Sequence, residues 1–135
     1  MINRAAVLLK HWRRAKTEPF AWNAEADCIG WAASIARDIV DRDPIASIRG
    51  TYMTETEAKR VMVERGWYSL SDVARAIFPH EIHPAEAQTG DWAVIMNADG
   101  TETIGVVSGE FVAAKTQAGL GRAPRSRAMA AFRVE

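Results

Sequence analysis

The order of the sequence predicts an α+β domain in which N-terminal helices pack on one face of a C-terminal antiparallel sheet. Apolar residues recur at helical spacing as far as about residue 78, and from Gly90 onwards the period turns extended. The runs DWAVIM, TIGVV, EFVAA and MAAFRV are short, β-prone and separated by turn-forming residues. At 135 residues and 48% hydrophobic, the chain is long enough to close one core, so residues 1–135 are expected to form a single domain.

The first helix is expected over residues 2–16, with Ala5, Leu8, Leu9 and Trp12 on one face and Thr17, Glu18 and Pro19 ending it. A second should run from Asp27 to Val40. Ala32, Ile35 and Ile39 form its stripe, Asp27 is placed to cap the free N–H groups, and Asp43-Pro44 closes the segment. Thr54 and Glu57 have capping-box spacing and precede Ala58, Val61 and Met62, and Gly66 stops that third helix. A short fourth helix spans Ser71 to Phe78 and ends at Pro79. Between the strands, residues 97–100 and the Ser108-Gly109 pair read as turns, and residues 119–127 read as a loop bearing Gly, Arg and Pro.

Lys+Arg and Asp+Glu number 17 each, which gives the whole molecule no bias towards nucleic acid or an anionic membrane. Two local clusters, His11/Arg13/Arg14/Lys16 and Arg122/Arg125/Arg127/Arg133, read as solvated faces, with an acidic protein partner as the alternative. No apolar run approaches the roughly 20 residues that cross a bilayer, and no cleavable leader is recognisable, so synthesis in the cytoplasm without membrane insertion is expected. A lone cysteine excludes an internal disulfide and a cysteine-based zinc site. No cofactor is implied.

That cysteine, Cys28, follows Asp27 at a helix start, where unpaired N–H groups and the helix dipole can lower a thiol pKa and make a nucleophile. It also lies on the stripe of Ala32, Ile35 and Ile39, where it would be a small core residue. His80 and His83 fall in a proline-flanked loop with Glu81 and Glu86; they read as surface residues, with a metal site or a substitute base for Cys28 as the competing readings. His11 reads as exposed. The five tryptophans should mostly pack in or against the core, one or two anchoring an interface. Arg49-Gly50 before Tyr52 marks a tight loop, in which Arg49 could also serve docking.

FAW and DC around Cys28, then GDWAVI, then TIGVV with GEFVAA, resemble in order the blocks of the NlpC/P60 branch of papain-like cysteine peptidases. The resemblance spans roughly residues 20–114 and implies a papain-like fold with Cys28 at the nucleophile position. A resemblance over nearly the whole chain is to small phage tail proteins of a domain family without assigned function. Pro19 to Cys28, Asp43-Pro44, Arg49-Gly50 with Tyr52, Ala87 to Asp91, Ile104 to Phe111, Gly119-Leu120 and Ala131 to Val134 carry it.

The departures from a peptidase bear on chemistry. The resemblance places Thr103 where the family has its histidine base, and threonine cannot take a proton from a thiol at neutral pH. Asn23 stands in place of a glycine, and the spacing to Cys28 is longer than the family's. Together these imply a structural component of a phage or phage-like tail tip or baseplate, an inactive NlpC/P60-like domain binding hub or tip proteins in the distal tail of the virion. The alternatives are a cysteine peptidase or amidase acting on peptidoglycan stem peptides during DNA entry, with Cys28 as nucleophile, and a tail-tip assembly factor.

Overall fold

A computed structural model describes residues 2–135. Four helices come first: α1 (Arg4–Ala15), α2 (Cys28–Val40), α3 (Glu55–Glu64) and α4 (Leu70–Ile77). Six strands follow: β1 (Glu81–Ile82), β2 (Trp92–Met96), β3 (Glu102–Ser108), β4 (Phe111–Thr116), β5 (Gly119–Pro124) and β6 (Ala128–Phe132). They form one sheet in the order β1-β6-β2-β3-β4-β5, antiparallel at every pairing. The helix-then-strand order and the α+β class are as expected from the sequence.

Local side-chain chemistry starts each helix. Asn3 accepts from the amide of Ala6, Asp27 from Gly30, Thr54 from Glu57 and Ser69 from Asp72, so each first turn has one otherwise free N–H satisfied. Gly66 follows α3 with φ +78°, a left-handed conformation that glycine adopts without a Cβ penalty.

Two segments differ from the expected loops. Residues 119–124 form β5, an edge strand whose Gly-Leu-Gly-Arg-Ala-Pro sequence has no β-type alternation. It is held by backbone pairing along β4, from Thr116↔Gly119 to Phe111↔Pro124, which needs no particular side chain. The stretch carrying His80 and His83 includes β1, whose two residues pair with Phe132 and Ala131.

The core lies between the helices and one sheet face. Trp31 and Trp92 are fully enclosed, and their indole N–H groups donate to the carbonyls of His11 (3.1 Å) and Ala32 (3.2 Å). Trp12, Trp22 and Trp67 pack partly buried against this cluster. The other sheet face carries a smaller cluster with Ala93, Ile95, Val107, Val112 and Ala131.

Asp91, in the Gly-Asp step into β2, joins the chain ends. Its carboxylate accepts from Arg4 (3.0 Å), from the amide of Val134 (3.0 Å) and from the amide of Gln88 (2.9 Å). This anchors both α1 and the residues after β6 to the centre of the sheet.

His11 departs from expectation: it is buried, only 2% exposed, while Leu9 on the expected apolar face is 46% exposed. α1 turns Leu8, His11 and Ala15 inward, because Asp38 on α2 gives the imidazole a partner at 2.7 Å. A carboxylate only accepts, so Nε2 carries the proton and the buried Nδ1 has no hydrogen-bond partner.

Candidate functional site

The segment before α2 is organised by three side chains. Asn23 accepts from the amides of Glu25 (2.9 Å) and Ala26 (2.8 Å), closing a small loop. Asp27 accepts from the amides of Ala24 (3.0 Å) and Gly30 (2.8 Å) and from the Tyr52 hydroxyl (2.6 Å). Arg49 grips Asp43 through two nitrogens (2.8 and 3.0 Å) and donates to the Ala24 carbonyl (3.1 Å). Its guanidinium is therefore committed to holding this loop, and Gly50 beside it has φ +74°. The loop passes so close to α2 that a Cβ on Gly30 would lie 2.3 Å from the Ala24 backbone.

Cys28, the first residue of α2, lines a cleft of about 570 Å³ between α2, α3, the start of α4 and the β3–β4 region. Apolar groups from Phe20, Trp22, Met62, Trp67 and Leu70 supply much of its wall. Part of Cys28 reaches the cleft, but burial and then the neighbouring Asp27 charge push its thiol up to about 12, against weaker help from the amides of Ile104, Ile29 and Cys28 itself. A helix start would lower a thiol pKa. Here the capping carboxylate sits beside the sulfur and itself takes the Gly30 amide.

Thr103 also borders the cleft, so the two expected site residues come together there. Their orientations differ, however. Thr103 pairs with Ile95, whose side chain belongs to the cluster on the far sheet face, and its hydroxyl accepts from Asn97 at 2.9 Å. What β3 presents to the sulfur is the Ile104 amide.

No imidazole is among the described residues lining the cleft. His80 hydrogen-bonds Glu135 (2.9 Å) at the surface, and His83 accepts from the Ala85 amide (3.0 Å). Both lie beside β1, which β6 and β2 separate from β3. No group of three or more His, Cys, Asp or Glu side chains among the described residues is placed to hold a metal ion. Tyr52 is no substitute base: burial, followed by the Asp27 charge and hydrogen bond, drives its phenol far above the usual tyrosine range, so it acts as a donor.

One cleft residue carried no functional signal in the sequence. Lys115 on β4 is 2% exposed, and its ammonium stands 3.5 Å from the Glu18 carboxylate. Its inward placement follows from the facing of β4, which the neighbouring letters do not reveal.

The architecture defines an NlpC/P60-type fold. A solved structure described as the NlpC/p60 domain of the peptidoglycan hydrolase SagA is similar over 98% of this chain and 99% of that one, with a TM-score of 0.56 and 14% identity. The chain itself belongs to the domain family of unknown function DUF6950, whose profile matches residues 3–134. No curated protein sequence matches it.

Proposed function

We propose that this chain is a non-catalytic NlpC/P60-like domain that serves as a structural component of a phage or phage-like tail tip or baseplate and binds hub or tip proteins. One observation carries the reading: the cleft at Cys28 holds no imidazole among the described residues. Burial and the Asp27 carboxylate push the Cys28 thiol up, opposite to the shift that activates a cysteine nucleophile. The placement in a tail rests on the ordered sequence blocks from Pro19 to Val134, and the cleft's apolar wall suits protein contact.

Mass spectrometry of purified particles tests the structural role. A fixed ratio to a hub protein is expected; presence in lysates but absence from particles would point to an assembly factor instead.

A peptidase reading draws on one observation, the likeness to a peptidoglycan hydrolase domain with Cys28 at a helix start facing β3. It requires a base from another subunit. Release of stem-peptide fragments by the purified protein or its assembly, abolished by Cys28→Ala, would establish that reading and overturn ours.

A further inference from the structure

The acidic side chains that line the cleft each have partners within the chain. Asp27 accepts its three hydrogen bonds, and Glu102 accepts from the amides of Leu70 (2.8 Å) and Ser71 (3.2 Å) and from the Ser71 hydroxyl (2.9 Å). Asp99 is tied to Thr101, and Glu55 pairs with Lys59 at 3.4 Å. Lys115 has one longer ion pair, to Glu18 at 3.5 Å.

Ala113 pairs with Val106 on the helix-facing side, and Lys115, two residues further along β4, falls on that same face by strand alternation and pairs with Leu120 of β5. Lys115 lines the cleft, and its ammonium carries three N–H donors. Its ammonium pairs with Glu18 at 3.5 Å, a carboxylate that is itself 36% exposed and reached by Arg14 at 3.7 Å. A lysine this enclosed normally has close partners. Trp67 and Met62 contribute apolar surface to the same cleft, as do Tyr68, 78% exposed, and Val63, 52% exposed.

We infer that the cleft receives an extended segment of a partner protein, with an Asp or Glu side chain of that segment displacing Glu18 from Lys115 and an adjacent apolar side chain seated against Met62 and Trp67. The inference rests on the reading that this cleft binds without cutting. The volume of about 570 Å³ suits a few residues of such a segment, and the buried cation sets the sign of the group it takes.

The experiment uses doubly capped peptides, acetyl-Gly-Trp-Glu-Leu-Gly-amide and its Glu→Gln counterpart, titrated into the full chain and followed by NMR of the protein's own indole N–H signals. Saturable shifts at Trp22 and Trp67 are expected with the Glu peptide, and affinity at least tenfold weaker with the Gln peptide. In Lys115→Met that discrimination should vanish. Glu18→Gln, a surface change that guards against misfolding of the lysine variant, should tighten the Glu peptide severalfold. Equal affinity for the two peptides, discrimination persisting in Lys115→Met, no binding to millimolar concentration, or binding only by a peptide with a free C-terminal carboxylate or by a muropeptide would each overturn the inference. Binding followed by cleavage of the peptide would leave Lys115 recognition standing and would defeat the non-catalytic reading, so the two failures are distinguishable.

Discussion

The Tyr52 hydroxyl donates to Oδ2 of Asp27 across 2.6 Å, joining the segment before α3 to the cap of α2. Asp27 is 1% exposed, so each of its donors offsets the cost of enclosing a carboxylate. The same carboxylate holds the Ala24 turn, caps α2 and raises the Cys28 thiol.

Tyr52→Phe removes that donor while keeping the ring volume. The expected loss is about 1.5–3 kcal/mol, the range for a hydrogen bond to a charged group, measured by denaturant unfolding. A change within about 0.5 kcal/mol would mean that Asp27 does not depend on Tyr52.

Cys28 should alkylate slowly at neutral pH. Its iodoacetamide rate is expected to keep rising towards about pH 12, whereas a simple alkyl thiol levels off near its own pKa. Linkage fixes a second sign. A thiol pKa raised by folding contributes stability below the unfolded value of about 9 that is lost as pH climbs towards about 12, so wild type should lose stability over that window more steeply than Cys28→Ala.

His11 gives a pH dependence on the acid side. Burial lowers its pKa against the opposing Asp38 hydrogen bond, so the unfolded chain binds the proton more readily. The associated stability is complete above the ordinary histidine value of 6.5 and declines as pH falls from there through the lowered folded-state pKa. His11→Gln can keep a donor to Asp38 without titrating. Its thermal midpoint should vary less than that of wild type between pH 7 and pH 5, and matching profiles would exclude His11 as the source.

Gly30→Ala and Gly105→Ala should both be severely destabilising. A Cβ at Gly30 would meet the Ala24 backbone at 2.3 Å, and one at Gly105 would meet Val112 Cγ1 at 2.5 Å and the Ala113 carbonyl at 2.7 Å. Because backbone must move in both cases, about 3 kcal/mol or more is expected. Gly121→Ala, with nothing near its added Cβ, is the control and should unfold close to wild type.

The sequence by itself determined the helix-then-strand order, the helix starts at Asp27 and Thr54 and the stop at Gly66. These depend on hydrogen bonds and backbone preferences spanning a few residues, so the neighbouring letters suffice. Tertiary structure decided the rest. β5 became a strand because β4 offered it a ladder, and His11 turned inward because Asp38, on another helix, could accept its proton. Thr103 was seated on the far face by its register with Ile95, and Lys115 was enclosed because it falls on the helix-facing side of β4. In each of these the deciding partner comes from another element, and its distance and direction exist only once the chain has packed.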